Sequence, residues 1–391
     1  MTIRLGVYAM PVDRDGLDYV IEAERLGVDS AWVPEFWGYD ALTPLGAAAA
    51  VTDTIRLGTA IVQLGTRTPA MLAMSAMSLQ QLSGGRFLLG IGASGPQVIE
   101  GWHGVPFAKP VRRTRETIEI LRMVTSGERL TYDGDIHRLP LPGGQGKALR
   151  AAAPPVHVPV YVASLGPANL RLTGAAADGW IGNSFFCETA DVFFDEIRAG
   201  AESSGRSLAD IDLTVSVGCE ITDDVEAAGR RHAAGFAFTF GAMGSATSNF
   251  YNDAFARQGF GDDVAAVQQL WLAGDRDGAA NRVPIEIGLR TNLIGPPEEI
   301  RRRLREYREC GVNTLRVGPM GDSLDERLAG LGQLVDLVNE VNAEEVEAAE
   351  AKSSPARSPT CGADRGPTLR SDVGDVDRPS GRSSVNQSKG S

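Results

Sequence analysis

Short apolar runs alternate with amphipathic stretches along most of the chain. Ile3–Tyr8, Ser30–Val33, Ile55–Ile61, Phe87–Ile91, Val158–Ala163, Gly179–Ile181, Leu213–Cys219 and Thr314–Val317 read as eight strands of near-continuous apolar character. Between them, Leu17, Val20, Ile21, Ala23 and Leu26 recur at helical spacing, and Gly27 closes that helix. Leu42–Val51 predicts a second, Ala-rich helix. Pro69 opens a third, at a first-turn position where its missing N–H costs nothing. Pro110–Val124, Pro167–Ala177, Ala190–Ser203 and Leu324–Val341 predict further helices. Residues 224–275 also look helical, with a looser Gly/Phe/Ser/Asn patch at 235–253.

Strands buried on both faces read this way because crossover helices cover a parallel sheet. A doubly wound open sheet shares the alternation. The count of eight, the length and the lack of a GxGxxG turn after the first strand favour an α/β fold of the (β/α)8 TIM-barrel type. The pattern breaks at residues 127–159, where "YDGD" marks a hairpin-type turn and a Gly/Pro-rich loop follows. This is an expected insertion after the fourth helix. From residue 343 the sequence turns to Glu/Ala and then to Ser, Pro, Gly, Arg and Asp with no period. The expectation is a barrel over 1–342 and a disordered tail over 343–391.

Composition narrows the function. Of 391 residues, 43% are hydrophobic, ample for one large core, and the formal net charge of −12 argues against nucleic-acid binding, which needs clustered Lys and Arg. Cys187, Cys219, Cys310 and Cys361 include no C-x-x-C, and His103, His137, His157 and His232 include no H-x-x-x-H, so no metal site is expected. The N-terminus lacks a signal-peptide pattern, and no apolar run reaches the ~18 residues of a membrane span. The expectation is a cytoplasmic protein acting on a small molecule, without a membrane or nucleic-acid partner.

In a barrel, chemistry sits where the strands end at their C-terminal side. Those positions read Pro34–Asp40, Val62–Thr68, Gly92–Pro96, Ser164–Pro167 and Gly182–Ser184, rich in Gly and Ser. Glycine lets backbone approach a flat ring or a phosphate. Ser164-Leu165-Gly166 precedes a helix whose free N–H groups favour an anion. The same residues also serve as ordinary βα-turn punctuation, but several such loops converge on one face. No nucleophile triad, metal cluster or Schiff-base lysine accompanies them, which fits chemistry carried by an organic cofactor.

"LQQLSGGRFLLGIGASGPQVIEGWHGVPF" (79–107), "IRLGTAIVQL" (55–64), "VYVASLGPANLRLTGAAADGWIGN" (160–183) and "GPPEEIRRRLREYRECGVNTLRV" (295–317) together resemble the bacterial luciferase-like oxidoreductases. They are most similar to the actinobacterial branch that uses the deazaflavin coenzyme F420. The resemblance covers residues 3–341. It implies a non-prolyl cis peptide at Ala60-Ile61 backing the deazaflavin ring, with Gln63 at the same strand end. It implies further that Gly92, Ala93, Ser94, Gly95 and Pro96 run along the ring and its ribityl-phosphate chain. Ala163, Ser164, Leu165 and Gly166 would hold the phosphate, and Glu35 and Phe36 would lie near the reacting carbon. A homodimer is usual in that superfamily.

The related sugar-phosphate dehydrogenases carry a histidine base where Phe36 stands and a glutamate acid where Gly95 stands. Their acid/base pair and their substrate therefore do not transfer. Glu35 remains the catalytic candidate, as acid or base, against a role bonded to cofactor or backbone. His103 is either a titrating group or a structural one, and Glu100 and Trp102 lie near the same mouth. Arg67 is either an anion contact or a surface arginine. Phe236, Phe238, Phe240, Phe250 and Tyr251 form either a substrate lid or helix core. Three functions stay open: F420-dependent hydride transfer to or from an alcohol, carbonyl or activated double bond; an FMN-dependent monooxygenase consuming oxygen; and a non-catalytic binder of flavin or deazaflavin.

Overall fold

The structure, a computed structural model, describes residues 2–243, 249–318 and 320–353. The chain divides into a unit of residues 1–348 and a second of 349–391, of which the described residues 349–353 are helical.

Eight parallel strands make the frame of the first unit: β1 (Arg4–Tyr8), β2 (Ser30–Val33), β3 (Arg56–Thr59), β4 (Phe87–Gly92), β5 (Val160–Ala163), β6 (Gly179–Gly182), β7 (Asp212–Val217) and β8 (Thr314–Val317). Each pairs with its neighbour in sequence, β8 pairs with β1, and β3 pairs with β4 through Leu57 opposite Phe87. The sheet is therefore closed, a (β/α)8 barrel, and the open-sheet alternative falls.

Strand alternation sorts the side chains into two cores. Residues facing outward, among them Leu5, Val7, Leu57, Leu89, Val160, Leu213, Leu315 and Val317, pack under the surrounding helices. Those facing inward form a small interior cluster of Trp32, Leu88, Tyr161 and Ile181. Rings of that size fit because the neighbouring strands offer glycine: a Cβ on Gly58 would stand 2.4 Å from the Trp32 ring. At the N-terminal end of the barrel, Asp212 takes bonds from Arg4 Nη2 (2.6 Å) and from the Tyr161 hydroxyl (2.8 Å).

Several sequence expectations are refined. The third strand is not continuous: it stops at Thr59, and Val62–Gln63 resumes pairing on β4. The insertion contains the expected hairpin, Tyr132–Asp133 with Arg138–Leu139, whose turn donates three backbone N–H groups to Glu116. Between β7 and β8 the chain makes an excursion. Cys219–Ile221 and Leu293–Gly295 pair in parallel, and the intervening helices include Val225–Ala242, Phe250–Phe255 and Gly261–Leu272. The patch expected to be loose is helical to residue 242, while 244–248 lie outside the described residues. The last helix, Leu324–Ser353, runs past residue 343, where the tail was expected to begin. Residues 354–391, expected to be disordered, lie outside the described residues. No helix among the described residues is long and apolar enough to cross a membrane.

Candidate active site

At the C-terminal mouth of the barrel, Gly92 pairs with Gln63 on one side and with Ala163 on the other. Ala60, Ile61, Ala163 and Tyr8 all pack on the interior ring cluster. A Cβ on Gly92 would lie 3.2 Å from Ile61 Cδ1 and 3.3 Å from Ala163 Cβ, so only glycine leaves a flat shelf there. The fold thus brings together Ala60, Ile61, Gln63, Gly92 and Ala163, residues named from three separate stretches of sequence. The Ala60-Ile61 peptide is cis. Beyond the shelf, Ala93 leads to Ser94, which takes φ +59°, a left-handed conformation uncommon outside glycine. Gly95 then caps a short helix, Pro96–Ile99. Ser184, after β6, has φ +58° at the same end of the barrel.

At the turn after β5, the Ser164 hydroxyl is buried and bonds Thr173 Oγ1 (2.8 Å), whose own proton goes to Asn169 O (2.8 Å). The Ser164 side chain therefore braces the helix Pro167–Ala176, and only the backbone of 164–166 remains to meet an anion. Arg257, from the excursion, donates to Leu165 O at this turn. Burial pushes the Arg257 guanidinium below its ordinary pKa. Sequence reading missed this cation.

The Glu35 side chain is 8% exposed and held from several sides. Arg67 donates to both its oxygens (2.9 and 2.8 Å), and Ala41 N–H and Gln63 N–H donate at 3.2 and 3.4 Å. The bond to Glu35 pushes Arg67 above its ordinary pKa. Gln63 Nε2 donates to the carbonyls of Glu35 and Phe36, both at 3.0 Å. Its Oε1 must then be an acceptor, so the proton in the 3.2 Å contact with His103 sits on His103 Nε2. Gln63 therefore ties the loop after β2 to the loop after β4. Glu100 accepts from Phe107 N–H (2.9 Å) and shapes that second loop. Phe36, Trp37 and Trp102 are exposed around the network.

The aromatic patch divides. Phe240, with Phe236 packed against it, joins Phe186, Phe255, Val264 and Ile287 in a separate helical core. These two are core, whereas Phe238 and Phe250 are exposed. Also missed was Arg316 on β8, fully buried inside the barrel and bonded to the Tyr8 hydroxyl and to Gly182 O (2.9 Å).

The model of the luciferase-like monooxygenase family matches residues 4–314. A Mycobacterium tuberculosis protein named for coenzyme F420-dependent oxidoreduction is 35% identical over 85% of this chain and 98% of its own. The 5,10-methylenetetrahydromethanopterin reductase of Archaeoglobus fulgidus is 28% identical over 81% of this chain and 92% of its own. Among solved structures, the coenzyme F420-dependent tetrahydromethanopterin reductase of Methanopyrus kandleri shares the fold with a TM-score of 0.71 at 24% identity, covering 86% of this chain and 99% of that one.

Proposed function

The chain belongs to the luciferase-like monooxygenase family, and from that premise we propose that it is an F420-dependent oxidoreductase acting on an alcohol, a carbonyl or an activated double bond. The observation that carries the reading is the shelf where Ile61, Gln63, Gly92 and Ala163 meet. It rests on the apolar interior cluster and carries no side chain at Gly92, which suits a planar ring. Gly92–Pro96 would follow the ring and its chain. The backbone of Ser164, Leu165 and Gly166, with Arg257 beside it, would take the phosphate at the start of the helix Pro167–Ala176. The deazaflavin, when bound, supplies a two-electron hydride carrier. The chain itself binds, orients and keeps water out. Glu35, spent on Arg67 and two backbone N–H groups, reads as a positioning carboxylate that shapes the mouth, and this reading prefers that role to acid or base.

Titrating the purified protein with F420 and, separately, with FMN tests the proposal by fluorescence. F420 is expected to be quenched saturably and FMN to leave its signal unchanged. Tight FMN binding with no F420 response would make the protein an FMN enzyme instead. Arg257→Ala is expected to weaken F420 about tenfold, the weight of one charge-assisted hydrogen bond. An unchanged affinity would remove Arg257 from the site.

The same reading includes a homodimer. The adjacent helices Leu42–Val51 and Pro69–Leu82 contain no charged residue, yet Val51, Met71, Met74 and Leu82 are exposed on them. On a chain of net charge −12, an uncharged apolar face suits a second copy of itself better than a charge-guided partner.

A further inference from the structure

Arg316 is an anomaly of the barrel interior. Its guanidinium is fully buried, its Nε has no hydrogen-bond partner, and among the described residues no carboxylate lies within ion-pair distance. Asp212 acts on it only at longer range, being already bonded to Arg4 and Tyr161. A buried cation without a counter-charge is expensive, so an apolar residue would serve stability better at this position. The Tyr8 and Trp32 rings flank the guanidinium, with its carbon 5.3 and 5.6 Å from their centroids.

What Arg316 does hold is Tyr8, the last residue of β1. Nη1 donates to the Tyr8 oxygen. The tyrosine's own proton must then point elsewhere, and no described group accepts it. The ring is half-buried and packs on the same cluster as Ala60, Ile61 and Ala163, the residues of the shelf. Tyr8 is therefore a phenol at the mouth, with a fixed cation behind its oxygen and a free proton in front. Preorganised donors of this kind, in a water-poor setting, bind oxygen atoms that carry or develop negative charge.

We propose that Tyr8 donates a hydrogen bond to an oxygen atom of the substrate (a carbonyl, hydroxyl or carboxylate oxygen) and that Arg316 is the positioning residue that holds and polarises it. Identifying the ligand as a redox substrate rests on the oxidoreductase reading; the oxygen site itself does not. Tyr251, on the helix Phe250–Phe255, approaches from the excursion side; burial first, and then Tyr8, push its pKa up.

Acetate is the probe, because its carboxylate presents the oxygen without requiring turnover. In thermal melts against chloride at equal ionic strength, acetate is expected to stabilise the wild-type chain saturably. Tyr8→Phe keeps the ring and is expected to weaken acetate by about tenfold or more. Arg316→Lys should retain part of the effect and Arg316→Met none. If Arg316→Met fails to fold, Tyr8→Phe and Arg316→Lys decide. The absence of a saturable acetate effect in wild type, or wild-type acetate affinity in Tyr8→Phe, overturns the proposal. F420 quenching on the same preparations separates the two readings. Acetate binding that depends on Tyr8 in a protein that ignores F420 keeps this site and removes the oxidoreductase.

Discussion

The Gly90→Ala protein is expected to be recovered unfolded or aggregated. Gly90 sits inside β4, and an added Cβ would fall 1.8 Å from the carbonyl oxygen of Thr59 and 2.6 Å from Ile181 Cδ1. The nearest obstacle is backbone, so no rotamer change relieves it. That carbonyl belongs to the segment where β3 breaks, and Thr59 Oγ1 also bridges the Gly90 N–H and carbonyl at 2.8 and 2.7 Å. A one-methyl change in a packed core usually costs about 1–3 kcal/mol. Here the barrel wall itself must move, and the loss should exceed about 4–5 kcal/mol, a large part of a typical domain's stability. Soluble yield and the thermal transition measure it. A cooperative melt within a few degrees of wild type would show that the wall yields more easily than its geometry implies. Two residues further on, Gly92→Ala meets only side chains, at 3.2–3.3 Å. It is expected to fold, at a cost below about 1.5 kcal/mol, and to lose F420 affinity by about tenfold or more as the shelf fills. On the proposed function, one glycine-rich strand thus separates into a position that serves the fold and a position that serves the ligand.

The barrel was legible in sequence because its strands are buried on both faces, inside and out. Ser30–Val33 and Thr314–Val317 stand out as apolar words with the boundaries that the structure gives them. The break after Thr59 was not legible as a break, since Gly58-Thr59-Ala60-Ile61 carries no turn signal that sets it apart from the strand, and only the pairing of Val62 and Gln63 with β4 shows where β3 leaves off. At the site, strand ends could be read and partnerships could not. Glu35 stands between two roles in sequence because Arg67, which donates to both its oxygens, lies 32 positions away. Arg257 carries no local signal, because its bond to Leu165 spans 92 positions and depends on how the excursion folds back. Arg316 did carry one: a cation inside a four-residue apolar strand is out of place, and alternation with Leu315 and Val317, both on the outer core, directs it inward. Phe236 and Phe240 resemble a lid in sequence because aromatic residues at helical spacing look alike over a ligand or in a core. Their contacts with Phe255 decide for the core.

Replacing Met71 and Met74 together by glutamate is expected to turn a dimer into monomers. Both side chains are more than half exposed in the protomer, at 51% and 57%, and lie three residues apart on one face of the helix Pro69–Leu82, with Leu82 at 63%. A Cβ on Gly46 of the neighbouring helix would stand 4.0 Å from the buried Leu79, so the two uncharged helices pack side by side. In a twofold interface the patch meets itself, and two substitutions place four carboxylates in the contact. Each buried charge without a partner costs several kcal/mol, so the dissociation constant should rise by on the order of a thousandfold or more. Because the positions are solvent-facing in the protomer, the melting behaviour of the separated chain should change by less than about 0.5 kcal/mol. Sedimentation velocity at micromolar concentration reads the result. A wild-type chain that sediments as a monomer removes the homodimer altogether. A variant that stays dimeric with both glutamates in place moves the interface off this face, since four like charges with no basic residue on either helix have nothing there to neutralise them.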